Sequence, residues 1–446
     1  MMRRKKFAGI LAIALCVAFA LSACGGGTTG GGTAPGGSPG GSAPPSGGGA
    51  TGAAPAYITI GIPTPLTGNI AGFGTGTPYV EQLVVDAVNK DGGIFIKDYN
   101  KKIPIKIDVQ DSQSDQSKAG QIAEQMATND HVNMFIAQHT PSNTIPTIEV
   151  AERYGIPCVS NGCPSEDVKA VGNLKWTYHA FWDTTDAITQ YMKVWDQLNF
   201  KAGTVVGFLF PNDPDAIVWN QVAKDLCTQK GYVISDPGQY PLGNTDWTSV
   251  INKFKQDKVQ IILGNDIAPD YSAFVTQAAQ QGFTAQLTTM GRAFLFPSDA
   301  NALPIEAANG LTCEVWWSPT LPFKSSIDGT TAQQLADEFV KSTNTPYTSA
   351  LGDKYSAMEI CVNAITKAAS LDPEKIREAL AATDLDTIAG HVSYDQTTHI
   401  GVLPVAVGQW VKDSTGKQVT IQVVNRGNFP EGMPVVDPFI PNPPKS

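Results

Sequence analysis

The sequence predicts an α/β protein built from two doubly wound parallel-sheet lobes, and three observations carry that expectation. Short β-branched strands alternate with amphipathic helices from Tyr57 to Ser160. The same alternation restarts at Val205 and continues to Met290. With 446 residues, 42% of them hydrophobic and only 16% charged, the chain has the apolar mass to fill both cores. The formal charge of −10 argues against a nucleic-acid partner, because phosphate binding needs clustered cations.

The N-terminal segment precedes both lobes. Met1 to Lys6 hold four positive charges and Phe7 to Leu21 form an apolar run, the pattern of a secretory signal and too short to span a bilayer comfortably. The run ends in Leu21-Ser22-Ala23-Cys24, which resembles a bacterial lipobox. That resemblance implies cleavage before Cys24, lipid on its thiol, and anchoring to the cell membrane from the outer face or periplasm. The alternative is an ordinary cleavage site with Cys24 incidental. Residues 24–56 are almost pure Gly, Ser, Thr, Ala and Pro, a flexible tether that cannot form a core. Gly36-Gly37-Ser38-Pro39-Gly40 matches a hydrolase nucleophile elbow in letters only, since no strand precedes it and no helix follows.

Tyr57, Ile58, Ile60 and Ile62 open the first lobe as a strand. A glycine-rich loop runs from Pro63 to Gly76, and Thr77 is expected to cap a helix whose first residue is Pro78. Val80, Leu83, Val84, Ala87 and Val88 share one face of that helix, and Gly92-Gly93 stops it. Strand, loop and helix place backbone N–H groups where open α/β sheets bind ligands.

The wording of this stretch resembles one family. It runs from Gly61-Ile62-Pro63-Thr64-Pro65-Leu66-Thr67-Gly68 through the pair Phe73-Gly74 to Asp86-Ala87-Val88-Asn89-Lys90-Asp91-Gly92-Gly93-Ile94. In that order the motifs resemble the branched-chain-amino-acid type of periplasmic solute-binding protein, the extracytoplasmic receptor of ABC importers. The resemblance covers about Tyr57 to Val424. It implies a type 1 fold whose lobes are joined by a multi-strand hinge, with no catalysis and no cofactor. It implies a small-molecule ligand, an organic acid or amino acid, and permease and ATPase partners in the membrane. Phe73 is expected against the ligand. The lobes are expected at 57–178 with 317–390, and at 179–316 with 391–424, followed by a proline-rich tail at 425–446.

The remaining elements of the first lobe follow. Ile103, Ile105, Ile107 and Val109 alternate as a strand; Ile122, Ala123, Met126 and Ala127 mark a helix. Val132–Ala137 and Ile156–Ser160 are strands, with a helix from Thr144 to Tyr154 between them. Two strand-end loops, Gln138–Asn143 and Asn161–Ser165, are those that hold the ligand carboxylate in the resembled family. Here Pro141 and Pro164 stand where that family has a serine and a threonine, leaving Thr140, Ser142 and Ser165 as substitutes. With Thr67, the candidate ligand residues of this lobe are Gln138, His139, Thr140, Ser142, Asn161 and Gly162. His139 reads as a lining residue, because no histidine pair has metal-ligand spacing.

Trp176 to Asp186 resembles the first crossing between lobes; Trp182 either faces the cleft or packs the junction. In the second lobe Val205–Phe210 leads to the loop Pro211–Asp215, and a helix carries Trp219, Val222, Ala223 and Leu226. Strands at Val259–Leu263 and Leu287–Met290 end in Asn265-Asp266 and Gly291-Arg292. Asp213, Asp266 and Arg292 are the candidates on this side. In amino-acid-binding members of the resembled family a glutamate beyond the Met-Gly pair neutralises the ligand ammonium, whereas here Arg292 follows. A missing anion and a gained cation favour a small organic acid, aromatic or dicarboxylic, over leucine-like amino acids. The alternative is that Arg292 pairs with a surface carboxylate such as Asp299.

Leu311–Trp317 resembles the second crossing, helices follow at 331–341, 349–370 and 373–382, and strands at 392–394, 404–411 and 419–424 close the second lobe. Beyond Cys16 and Cys24 the cysteines are Cys158, Cys163, Cys227, Cys313 and Cys361. A disulfide between Cys158 and Cys163 is expected across the turn at Asn161-Gly162, with two buried thiols as the alternative. An enzyme is disfavoured: no Walker loop is present, and Gly72-x-Gly74-x-Gly76 misses the dinucleotide spacing. A sensing domain that feeds a signalling partner stays open beside the importer receptor.

Overall fold

A computed structural model describes residues 53–442. The signal, Cys24 and most of the tether lie outside the described residues, as does the end of the tail. The first part of the chain runs β1 (Ile58–Thr64), α1 (Tyr79–Asn89), β2 (Ile94–Ile96), β3 (Lys101–Ile103), β4 (Ile105–Asp111) and α2 (Gln116–Thr128). It continues with β5 (Met134–Gln138), α3 (Pro141–Tyr154), β6 (Cys158–Asn161), α4 (Ser165–Ala170) and β7 (Thr177–Ala180). The middle part holds α5 (Thr184–Gln197), β8 (Val205–Leu209), α6 (Pro214–Gln229), β9 (Val233–Ser235), α7 (Thr248–Asp257) and β10 (Ile261–Asn265). After these come α8 (Ala268–Gln280), β11 (Leu287–Gly291), α9 (Pro297–Ala302), α10 (Ile305–Ala308) and β12 (Thr312–Val315). The last part carries α11 (Ala332–Thr343), α12 (Ala350–Ala368), α13 (Pro373–Ala381), β13 (Asp384–Thr387), β14 (Gly390–Ser393), β15 (Ile400–Gly401), β16 (Ala406–Lys412) and β17 (Val419–Asn425).

Two large sheets result, one per lobe, beside the two-stranded pairs β2-β3 and β13-β14. The first has the order β15-β7-β6-β5-β1-β4, and all its pairs are parallel. The second has the order β17-β16-β12-β11-β10-β8-β9, parallel except at β16 and β17. Every residue of β1 is buried, as expected for a strand covered by helices on both faces. In β1, Ile58 stands opposite Ile105 and Thr64 opposite Asp111, so the strand ends that carry loops are aligned. The helix α12 is buried on nearly all sides and covers the first sheet next to α1, which explains its lack of a polar face.

Local chemistry sets the helix starts. The Asp115 carboxylate accepts from Lys118 N at 2.7 Å and caps α2. Asp213 caps α6 by accepting from the N–H groups of Asp215 and Ala216, with Pro214 at the first helical position. Thr331 and Gln334 form a capping box on α11. The expected Thr77 cap is not formed: α1 starts at Tyr79, and the Thr77 hydroxyl donates to Glu81 Oε1 at 2.9 Å instead.

The third passage between lobes differs from expectation. Residues 391–424 are not all in the second sheet, because β15 pairs with β7 of the first, Ile400 opposite His179. β14 pairs only with β13 in a separate hairpin. The chain therefore crosses after β7, after β12 and between β15 and β16. The tail is also more than an irregular end: Phe429 and Met433 are buried, and Gln409 bonds both N and O of Phe439 through its side-chain amide. No helix among the described residues is long and apolar enough to cross a membrane.

Candidate functional site

The two sheets bring their strand ends together around a small chamber of about 20 Å³. Phe73, Thr140, Gly162 and Pro164 wall it from the first lobe. Asp215, Trp219, Asn265, Arg292, Leu295 and Glu314 wall it from the second, and Phe181, Trp182 and Trp316 from the two crossings. A wider cavity of about 400 Å³ lies between the loop Gly68–Phe73 and the start of α8, sharing Phe73 and Arg292 with the chamber. Phe73 packs edge-on against Phe296 of the second lobe, centroids 4.9 Å apart at 87°.

On the first-lobe wall the backbone is bent into sparsely populated conformations. His139 has φ 69° and Thr140 φ 60°, unusual for residues with side chains. Thr140 N donates to Gly162 O at 2.9 Å, which clamps the β5 and β6 loops together. Gly162 has φ 66°, and a Cβ there would lie 3.0 Å from His139 N, so only glycine permits this approach. The hydroxyls of Thr140 and Ser142 are 3.0 Å apart and bonded to each other at the N-terminus of α3.

Other expected ligand residues turn away from the chamber. Gln138 Nε2 donates to Glu81 at 3.2 Å and Asn161 Nδ2 to Asp353 O at 2.8 Å, so both side chains hold their own lobe together. Thr67 is exposed and donates to Asp111 Oδ2 at 2.6 Å. His139 is buried against Lys354 Nζ, 2.8 Å from its Nε2. Burial, and then the Lys354 charge, push its pKa well below the ordinary range, so the ring is neutral. Lys354 also donates to Phe73 O at 2.8 Å and to Thr77 Oγ1 at 2.7 Å. This lysine fixes the turn that carries Phe73, and the sequence reading missed it. Its signal there is a charge pair, Asp353-Lys354, early in a mostly apolar helix.

Arg292 does not wait for a ligand anion. Its guanidinium makes a bidentate bond to Asp213, Nη1 to Oδ1 at 3.0 Å and Nη2 to Oδ2 at 2.9 Å. Nε donates to Asn265 Oδ1 at 3.1 Å, and Asp215 Oδ2 lies 3.3 Å away. Asp299, the surface partner considered above, is not bonded to it. The second lobe thus answers one cation with two aspartates, and the expectation of a spare positive charge is corrected. Burial raises the neighbouring acids. Burial pushes Glu314 up to about 7 and Asp266 up to about 8; burial and then Asp215 push Asp167 up to about 8. Asp266 itself lies apart from the chamber wall, its Oδ1 accepting from Ile267 N. Trp182 is buried on the chamber wall and packs on Phe181, Trp219 and Trp316, so lining and packing are both its role.

The expected disulfide is absent: Cys158 and Cys163 are free and buried. Cys158 opens β6, and an extended strand rises about 3.3 Å per residue, which already separates residues 158 and 161 by about 10 Å. A disulfide needs Cα atoms within about 7 Å.

A sequence model described as "Periplasmic binding protein" matches residues 57–417, most of the chain. The chain belongs to that family. This binding protein is 23% identical over 371 residues to the leucine-, isoleucine-, valine-, threonine- and alanine-binding protein of Pseudomonas aeruginosa, covering 81% of this chain and 92% of the relative. Its fold is that of LivJ from Streptococcus pneumoniae, solved with isoleucine, at TM-score 0.69 and 20% identity, over 83% of this chain and 99% of that one. It is also that of a solute-binding protein from Rhodopseudomonas palustris BisB5 in complex with 3,4-dihydroxybenzoic acid, at TM-score 0.66 and 15% identity, over 84% and 99%. A type 1 binding-protein fold, and a binding rather than a catalytic role, follow from these matches.

Proposed function

We propose that this binding protein is an extracytoplasmic receptor, anchored through lipid on Cys24, that presents a small carboxylate-bearing solute to the permease and ATPase of an ABC importer. The observation that carries this reading is the first-lobe wall. Thr140 and Gly162 line the chamber at the ends of β5 and β6, beside the Thr140–Ser142 hydroxyl pair and the α3 N-terminus. Hydroxyls and a positive helix end suit a carboxylate. The ligands named for the relatives, amino acids and a dihydroxybenzoic acid, are all small carboxylates. Because Arg292 is already paired with Asp213, a second carboxylate beside it would meet Asp213 and Asp215 rather than a free guanidinium, and the reading narrows to monocarboxylates.

Titration calorimetry with matched acids and carboxamides tests the ligand class. Acids should bind and amides should not; equal binding of an amide removes the carboxylate from the argument. Whole-cell uptake of a bound acid should fall when the gene is deleted, whereas undiminished uptake with loss of a transcriptional response would make the protein a sensor. Cys24→Ala should move the protein from the membrane fraction to the soluble one, and a variant still bound to membranes would refute the anchor.

A further inference from the structure

We infer that the solute also carries a hydroxyl, and that Trp182, Trp316 and Asp215 receive it at the hinge end of the cleft. This rests on the carboxylate reading above and specifies the opposite end of the same ligand. Four buried polar atoms on residues of the chamber wall have no hydrogen-bond partner: Nε1 of Trp182, Nε1 of Trp316, Nδ2 of Asn265 and Oδ1 of Asp215. Those residues are 3%, 5%, 0% and 5% exposed. So many orphaned atoms around one small space are unusual in a native fold and mark a place where a ligand completes the bonding. Trp182 and Trp316 come from two different crossings, with ring centroids 6.2 Å apart, so the two lie together where the lobes join.

The donor and acceptor count selects the chemical group. Three orphaned donors argue against a ligand cation. A carboxylate here would sit beside Asp215 and Glu314, while the nearby guanidinium is held by both oxygens of Asp213. A ketone or ether oxygen would accept from an indole N–H but leave Asp215 Oδ1 unanswered. A hydroxyl does both, because its oxygen accepts from the indole and its hydrogen goes to the carboxylate. The chamber of about 20 Å³ has room for one such group, and the adjoining cavity of about 400 Å³, which shares Phe73 and Arg292 with it, has room for the body of the solute.

The experiment is calorimetry on the full-length protein with 4-hydroxybenzoate, 4-methoxybenzoate and benzoate, and with 6-hydroxyhexanoate and hexanoate. Native mass spectrometry after incubation with a small-molecule extract identifies any solute the protein retains. The hydroxylated acid of a pair should bind roughly tenfold to a hundredfold tighter than its partner lacking the hydroxyl. The methoxy acid, which accepts but cannot donate, should fall with benzoate, and a retained solute should carry both groups. Trp182→Phe and Trp316→Phe keep an aromatic ring and lose the N–H. Each should shrink the hydroxyl preference, the ratio of the two affinities, which a folding defect would not move. Equal binding with and without the hydroxyl, a retained solute without one, or a ratio unchanged in both variants overturns this inference and leaves the carboxylate receptor standing. If no acid binds and no solute is retained, both readings fall together.

Discussion

Gly72 of the first lobe meets Phe296 of the second so closely that a Cβ on Gly72 would lie 2.5 Å from Phe296 Cδ2. The next residue, Phe73, packs its ring on the same Phe296. The close approach of the lobes here thus depends on the absence of one methyl group. Gly72→Ala should hold the lobes apart at an overpacking cost of about 1–3 kcal/mol. Solute affinity should weaken roughly fivefold to a hundredfold, and small-angle scattering should show a larger radius with ligand present. Unchanged affinity with unchanged scattering would mean that this contact plays no part in closing.

Lys354 should matter far more to stability than its place in a helix suggests. Its ammonium satisfies Phe73 O, Thr77 Oγ1 and His139 in a fully buried site. Lys354→Met leaves those groups and Glu81 without the cation, and breaking such a set costs about 3–5 kcal/mol. Urea unfolding would register the loss directly; a change below about 1 kcal/mol would show that the network is not a unit.

Stability should fall as pH rises from about 6.5 to 8. Burial holds the Glu314 and Glu359 carboxyls up at about 7 and that of Asp266 at about 8. The folded protein keeps these protons where the unfolded chain has lost them, so their contribution is full below the usual carboxylate range and is lost through the folded values. Buried His139 and His179, kept neutral mainly by burial, act in the opposite sense, but only below about 6.5. Lys354, pushed down to about 8 by burial, adds stability only above that pH. Each raised carboxyl should lower the unfolding free energy from urea titration by on the order of 1 kcal/mol across the window, and Glu314→Gln should flatten the slope. A flat or rising profile between pH 6.5 and 8 would contradict the assignment.

The five cysteines of the described residues should be slow to react in the folded state, since all are buried. Burial pushes the Cys227 thiol up to about 12 and the others upward too, which suppresses the reactive thiolate. Maleimide labelling without reductant should modify none within minutes in buffer and all five in denaturant. A Cys158–Cys163 peptide resistant to labelling in denaturant would restore the disulfide.

The sequence by itself determined the two sheets, most of their strands and the loops at their ends, because those depend on local periodicity and turn chemistry. Ile58, Ile60 and Ile62 read as a strand without knowledge of a partner, whereas Asp213 and Pro214 read as loop and in fact cap and start α6. Thr140, Gly162 and Arg292 read as strand-end residues and Trp182 as part of a crossing, while Phe73 is singled out by the family resemblance; all five line the chamber. What each side chain does there was decided only by the tertiary structure. Arg292 lies 79 positions from the Asp213 that occupies it, and Lys354 281 from the Phe73 carbonyl it holds. Thr67, Gln138 and Asn161 look like free donors in the sequence, yet each is used up within the first lobe. Hydrogen bonds and ion pairs are settled by which groups the fold brings within about 3 Å, and no local pattern records a partner that distant in the chain.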